Sequence, residues 1–165
     1  MEWLDIYDDY GNLTGRKIIM GDRSAKLSNH EHIAVANIFI ENSKGEFLIQ
    51  KTSKEKGGLF STTGGHVDSG ETPYTTIVRE VKEEIGIDIS KEKIIDYGFL
   101  LYDMPLRYLF YLKKDINIKD VDVQKEEVDY VKYMSVSDIR KLIDEKQMLE
   151  SHGIMFNELI RRINK

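Results

Sequence analysis

The sequence predicts a single α/β domain over residues 1–165, in which helices cover a mixed β-sheet as an α/β/α sandwich. Runs rich in β-branched and aromatic residues recur along the chain and are separated by turn residues, which is typical of strands. A segment with strong signals at both ends predicts a helix between two groups of strands, and amphipathic segments follow at the C-terminal end. The sequence shows no internal repeat and no linker that would divide the chain.

The strands are predicted in chain order. Residues 1–21 form a hairpin, because Trp3–Tyr7 and residues 17–20 flank a turn at residues 10–12. The polar residues 21–31 are predicted to form a connecting loop with a helical turn. Apolar residues on both alternating faces predict a strand covered on two sides at 32–41. Further strands are expected at 46–51, 94–102, 107–113 and 128–134, and the glycine-rich segment 54–65 is expected to be a functional loop.

Three helices are predicted. The first covers residues 73–85, because Thr72 is a good N-cap, Pro73 suits the first turn, and Gly86 lies where a helix ends in a left-handed residue. Its apolar side should pack on the sheet and comprises Tyr74, Ile77, Val78, Val81 and Ile85. The second begins after a cap at Ser135 or Ser137 and reaches about residue 145. The third covers 154–163.

Composition excludes several classes of function. The chain has 41% apolar residues and no cysteine, which excludes disulfides, thiolate zinc sites and a cysteine nucleophile. It has no apolar run long enough to span a membrane, and its first residues lack the regions of a signal peptide, so a cytoplasmic protein is expected. The net charge of −5 comes without a cluster of Lys and Arg, which argues against a nucleic-acid polymer as partner.

An acidic face on the first helix carries the predicted chemistry. Glu80, Glu83 and Glu84 fall within one arc, and like charges three or four residues apart destabilise a helix by a few tenths of a kcal/mol per pair. The helix dipole also disfavours anions near the C-terminal end. The arc therefore needs a compensating charge. Arg79, which borders it, is one source, and Mg²⁺ bound through carboxylate oxygens is the other.

The surrounding residues complete a known pattern. Residues 65–87 resemble the Nudix box of the Nudix (MutT-like) hydrolases. The pattern consists of Gly65, then Glu71 after five intervening residues, then the segment 79–87 after seven more. The resemblance implies hydrolysis of a pyrophosphate bond in a nucleoside diphosphate linked to another moiety, X, with Mg²⁺ or Mn²⁺ as cofactor. It also implies a metal site made by Glu80, Glu83, Glu84 and the Gly64 carbonyl.

The same resemblance suggests roles for the remaining site residues. Arg79 and Glu71 would form an ion pair that orients the metal-binding carboxylates. The general base would be Glu80, or a loop glutamate before the last strand, for which Glu127 and Glu126 compete.

A looser resemblance extends over residues 3–17, 45–51 and 64–67, which look like the isopentenyl-diphosphate isomerase branch of the Nudix proteins. Those isomerases depend on a catalytic cysteine, which this chain lacks, so hydrolysis is favoured over isomerisation. A nucleotide-binding sensor without catalysis is the other alternative, and the complete set of box glutamates argues against it. The sequence does not specify X, and it is compatible with a homodimer.

Overall fold

The computed structural model describes residues 2–22 and 24–164. Its strands and helices are β1 Trp3–Tyr7, β2 Leu13–Ile19, β3 Ala34–Glu41, β4 Phe47–Thr52, β5 Phe60–Ser61, β6 Gly64–His66, α1 Pro73–Ile85, β7 Ile95–Leu101, β8 Leu106–Lys113, β9 Val128–Met134, α2 Val136–Asp144 and α3 Glu150–Ile163. None of the described helices is long and apolar enough to cross a membrane.

The buried strand β3 lies at the centre of a mixed sheet. It pairs in parallel with β8 over its whole length, while β7 lies antiparallel on the far side of β8. On its other side β3 pairs with β4 at Glu41 and with β6 at Val35–Asn37. β4 diverges from β3 toward β9 and β5, and β6 fills the place beside β3 that β4 leaves. The divergence therefore places the backbone of Gly64–His66 at the centre of the fold.

Helices cover both faces of this sheet, so the predicted α/β/α arrangement is confirmed. One apolar core lies between α1 and the sheet and includes Ile77, Val81 and Ile85 of that helix. A second core lies on the opposite face and includes Ile139 of α2 with Met155, Phe156 and Leu159 of α3. The hairpin of β1 and β2 forms a separate two-stranded sheet, joined to the rest through bridges at Tyr7–His32 and Leu4–Asp68.

The first helix has the ends that the sequence predicts. The Thr72 hydroxyl accepts a hydrogen bond from the backbone N–H of Thr75 at 3.1 Å, and Gly86 has φ 72°. Its faces differ from the prediction in two places. Tyr74 is 41% exposed rather than buried, although its ring packs edge-to-face with the ring of Phe110. Glu84, which belongs to the acidic arc, is buried.

Two other predictions about helices were wrong. No helical turn lies in residues 21–31 among those that the structure describes. The last helix begins at Glu150 rather than at residue 154, so Gly153 lies inside it. A Cβ at Gly153 would come within 3.1 Å of Ile143, so the glycine allows α2 and α3 to approach closely.

An arginine cluster anchors α3 to the sheet edge. Arg162 donates hydrogen bonds to the carbonyls of Tyr97 and Phe99 in β7, at 2.7 and 3.0 Å. Glu158 accepts from Arg162 and from Arg161, and these contacts lower the pKa of Glu158 to about 2. The cluster fixes the end of α3 that lies away from His152.

Candidate active site

A polar cavity of about 450 Å³ lies between α1, β6 and the loop that precedes β9. The acidic face of α1 forms one wall, the glycine backbone of β6 forms another, and the loop 124–127 closes a third side. Its charged and glycine lining residues are Glu2, Lys56, Gly64, Gly65, His66, Asp68, Arg79, Glu80, Glu83, Glu84 and Glu127. The structure therefore brings the three arc glutamates, both box glycines, Arg79 and Glu127 to one cavity.

The carboxyl of Glu80 lies directly against the backbone of Gly65. A Cβ built on Gly65 would lie 2.4 Å from Oε1 of Glu80 and 2.6 Å from its Cδ, so only glycine leaves room for this side chain. Burial is the largest cause that raises the pKa of Glu80. The close approach of backbone and carboxylate forms a compact group of oxygen atoms at the wall of the cavity.

Glu84 is the most buried acid of the arc, with 8% of its surface exposed. Its Oε1 accepts a hydrogen bond at 2.9 Å from the Gln50 amide, whose own oxygen accepts from the Thr63 hydroxyl at 2.8 Å. Burial raises the pKa of the Glu84 carboxyl well above its ordinary value, and the hydrogen-bonded Glu80 carboxyl raises it further. Two carboxyls this close hold a proton unless a cation replaces it.

Arg79 links the carboxylates around the cavity. Its Nε and one terminal nitrogen donate to Glu71 at 2.7 and 2.9 Å, and its other terminal nitrogen donates to Glu80 at 3.0 Å and to Glu83 at 3.2 Å. Asp68 lies 3.5 Å away. The hydrogen bond from Arg79 is the main cause that lowers the pKa of Glu71. One guanidinium thus faces four carboxyl groups, and the cluster remains acidic.

The two candidate loop glutamates point to different places. Glu127 lines the cavity, where its carboxylate lies 3.4 Å from the Lys56 ammonium. Glu126 instead lines a separate surface depression with Lys54 and Glu55. Ser53 fixes the backbone of both residues. Its hydroxyl donates a hydrogen bond to the Glu126 carbonyl, and its backbone N–H donates one to the Glu127 carbonyl.

The residues of the cavity fit a hard divalent cation. The available ligands are carboxylate and backbone oxygens, which Mg²⁺ prefers over nitrogen and sulfur. Within residues 2–22 and 24–164, no three His, Cys, Asp or Glu side chains are already gathered around one point. The reason is visible in the contacts, since Arg79 engages Glu80 and Glu83 while Glu84 turns toward Gln50.

Sequence reasoning did not single out several residues of the site. Gln50 and Thr63 are buried and hold Glu84 from the β4 side, and Lys56 and Asp68 add one charge of each sign. A signal existed for Gln50, because a polar amide that directly follows three apolar residues of a strand needs a partner when it is buried. His66 also lines the cavity, and burial lowers its pKa.

Comparison with known proteins identifies the family of this chain. A family model of the NUDIX domain matches residues 30–153. An uncharacterized Nudix hydrolase of Listeria monocytogenes is 30% identical over 146 residues, which span 86% of this chain and 85% of that protein. An 8-oxo-dGTP diphosphatase of Proteus vulgaris is 33% identical over 79 residues, or 47% of this chain and 68% of that protein.

The fold has a close match among solved structures. A crystal structure of a Deinococcus radiodurans protein superimposes with a TM-score of 0.78 at 18% identity, covering 94% of this chain and 98% of that one. The match of the family model to most of the chain, and the similarity to the Listeria protein over nearly its full length, agree with the box at 65–87. The chain belongs to the Nudix family and is a Nudix hydrolase.

Proposed function

We propose that this enzyme hydrolyses a pyrophosphate bond in a nucleoside diphosphate linked to a further moiety X, with Mg²⁺ as cofactor and Mn²⁺ as a substitute. The observation that carries the proposal is the crowding of Glu80 and Glu84 against the backbone of Gly65 in an open polar cavity. An acidic site does not attract a pyrophosphate by itself, and it needs a divalent cation to do so.

The residues proposed to hold the metal are Glu80, Glu83, Glu84 and the carbonyl of Gly64. When bound there, a divalent cation polarises a phosphoryl oxygen and lowers the pKa of a coordinated water. Gln50 keeps the buried Glu84 carboxyl aimed at β6 through its 2.9 Å hydrogen bond.

The ion pair of Arg79 with Glu71 is proposed to position the other carboxylates. Because Glu71 holds two nitrogens of the guanidinium, the remaining nitrogen reaches Glu80 and Glu83 in a fixed geometry. Such supporting contacts act on the reaction through the metal ligands, so Arg79 and Glu71 are positioning residues.

Glu127 is proposed as the general base that takes the proton of the attacking water. It lines the cavity from the loop before β9, and none of the ion pairs of Arg79 involves it. Glu80 is already engaged by Arg79 and Glu84, which makes it the weaker candidate. Lys56, at 3.4 Å from Glu127, is placed to attract the charged phosphate as it enters.

The test is a substrate panel assayed with Mg²⁺, with Mn²⁺ and with a chelator. It contains nucleotide sugars, dinucleotides, ADP-ribose and oxidised dNTPs, and the products show which bond is cleaved. We expect metal-dependent turnover of at least one compound, nearly abolished by Glu83→Gln and unchanged by Glu145→Gln, a matched change at an exposed residue of the described chain.

Turnover that persists in the chelator, or in Glu83→Gln, would contradict the proposed mechanism. Metal-independent binding of a nucleotide without any turnover would instead support the sensor alternative.

A further inference from the structure

A second pocket, of about 300 Å³, lies on the other side of strand β6 from the carboxylates. Gly64, Gly65 and His66 line both cavities, so the strand is a shared wall. Successive residues of a strand point to opposite faces. Gly65 faces Glu80, whereas a Cβ on Gly64 would meet the side chain of Asn37 at 2.3 Å, on the side of the second pocket.

The register of the sheet brings Arg107 into this pocket. Val35 pairs with His66 on one side and with Arg107 on the other, so the three residues form one row and share a face. Arg107 is half-buried, stacks on the Tyr102 ring at 5.4 Å, and donates its Nε–H to the Tyr102 carbonyl at 3.0 Å. These contacts fix the plane of the guanidinium and leave its terminal N–H groups for another partner.

Arg107 has no ion-pair partner within the part of the chain that the structure describes. By contrast, Arg79 at the acidic cavity and Arg162 at the sheet edge each bind a carboxylate within 4.0 Å. Burial lowers the pKa of Arg107, and the exposed carboxylate of Asp103 offsets this only in part. A half-buried cation without a counter-ion is costly unless a ligand supplies the opposite charge.

His152, from the first turn of α3, adds a second donor. Its Nδ1 accepts a hydrogen bond at 3.1 Å from the backbone N–H of Thr62, so the neutral ring carries its proton on Nε2. Burial, with a smaller contribution from Arg107, lowers the pKa of His152 to about 4, which keeps the ring neutral at physiological pH. The start of a helix is also the positive end of its dipole.

The composition of the pocket indicates the kind of group that it binds. Among its described lining residues none is acidic, and none is a phenylalanine, tyrosine or tryptophan that could stack on a nucleobase. The charge is therefore divided by β6, with carboxylates on one side and N–H donors on the other. A pocket that offers N–H donors and no ring for stacking on a base suits a phosphate or carboxylate group.

We propose that this pocket binds an anionic group, a phosphate or a carboxylate, that the substrate carries beyond its scissile pyrophosphate, and that Arg107 is the residue that selects for it. The proposal rests on the proposed function, because it assigns the far end of the same substrate. It narrows the substrate to diphosphates that carry a further negative charge, either on X or on the ribose of the nucleoside.

The test compares substrates that differ by one anionic group. Three pairs serve as probes: coenzyme A and dephospho-coenzyme A, NADPH and NADH, and UDP-glucuronate and UDP-glucose. The first two pairs test a phosphate and the third tests a carboxylate. We expect the wild-type enzyme to favour the more anionic member of at least one pair by about tenfold or more in kcat/KM, the size of a charge-assisted contact.

Variants show whether Arg107 is the cause. Arg107→Gln should bring that ratio close to one by lowering kcat/KM for the more anionic member, while Arg107→Lys should retain part of the preference. Arg140→Gln, at an exposed arginine of α2, is the matched control and should behave as wild type. A wild-type enzyme without preference in any pair, or a preference that survives Arg107→Gln, would overturn the proposal.

A binding measurement separates this proposal from the proposed function. Inorganic phosphate is titrated into the metal-free protein while backbone amide NMR signals are followed. We expect saturable shifts at Val35, His66 and His152 that disappear in Arg107→Gln, even if no compound is hydrolysed. If the enzyme hydrolyses its substrate but phosphate shifts none of these signals, the pocket is not an anion site and the proposed function still stands.

Discussion

Replacing each of the two adjacent glycines of β6 by alanine is expected to have opposite effects. Neither glycine has a positive φ, so the backbone accepts an alanine at both positions and only the new Cβ matters. At Gly64 the Cβ would lie 2.3 Å from the carbonyl oxygen of Ala36 and 2.3 Å from the Asn37 amide, both in the buried centre of β3. At Gly65 the three nearest atoms would all belong to the flexible side chain of Glu80.

The magnitudes follow from what can move. Relieving the Gly64 contact requires a shift of β3 itself, and overpacking of this kind costs about 2 kcal/mol in the free energy of unfolding. For a chain of this length that lowers Tm by about 4–8 °C. Gly65→Ala needs only a rotation of the Glu80 side chain. The alanine also reduces the conformational entropy of the unfolded chain, which stabilises the folded state by about 0.4–1 kcal/mol and offsets the cost of that rotation. The free energy of unfolding of Gly65→Ala should therefore stay close to that of the wild type.

The catalytic rate, by contrast, should fall in Gly65→Ala. Gly65→Ala moves the Glu80 carboxylate by more than an ångström from its place at the cavity wall, and a displacement of that size costs about 100-fold in rate. The variants are compared by denaturant unfolding in the presence of a chelator and by initial rates at saturating Mg²⁺. A Gly65→Ala enzyme with nearly full activity, or one as unstable as Gly64→Ala, would refute the reasoning.

Three further predictions concern carboxylates. Glu127→Gln should lower kcat by about tenfold to a hundredfold, the contribution of a positioned base, whereas Glu126→Gln should leave it unchanged; equal losses in the two variants would contradict the assignment. Glu71→Gln should weaken activation by Mn²⁺ by about 10- to 100-fold, because Arg79 loses the carboxylate that holds two of its nitrogens, and an unaltered Mn²⁺ titration would count against a positioning role. Glu158→Gln should lower the free energy of unfolding by about 1 kcal/mol near neutral pH. Since the folded-state pKa of Glu158 is depressed to about 2, the difference from wild type should fade as pH falls below about 4.5 and vanish near 2, which urea unfolding across that range would show.

The elements that the sequence predicted correctly are those with local signals. The bounds of α1 follow from Thr72, Pro73 and Gly86, which act within one turn of the helix. The start of β9 follows from the charged stretch that ends just before Val128. The start of α3 was missed because the predicted helix begins just after Gly153, whereas this glycine lies inside α3, where Ile143 of α2 comes close to it. That contact depends on the packing of two helices and leaves no trace near residue 153.

The candidate site likewise contains residues that local signals predict and residues that only the tertiary structure reveals. The three glutamates and Arg79 lie within six residues, and helical periodicity alone places them on one side of α1. Periodicity does not show that Glu84 is buried, because its hydrogen-bond partner Gln50 comes from β4. It also does not show which of two neighbouring loop glutamates faces the cavity. The isopentenyl-diphosphate isomerase branch and the homodimer stay predictions.

The opposite charges on the two sides of β6 explain why sequence reasoning found only one half of the site. The acidic half is local, since the residues proposed as its metal ligands belong to one helix and the strand before it. The basic half joins His66 of β6, Arg107 of β8 and His152 of α3, which meet only through the parallel pairing of β3 with β8 and the docking of α3. Under the two proposals, a diphosphate held by metal on the acidic side would extend its far end over the glycine wall toward Arg107. If that end is anionic, one short strand separates the part of the substrate that is cleaved from the part that is recognised.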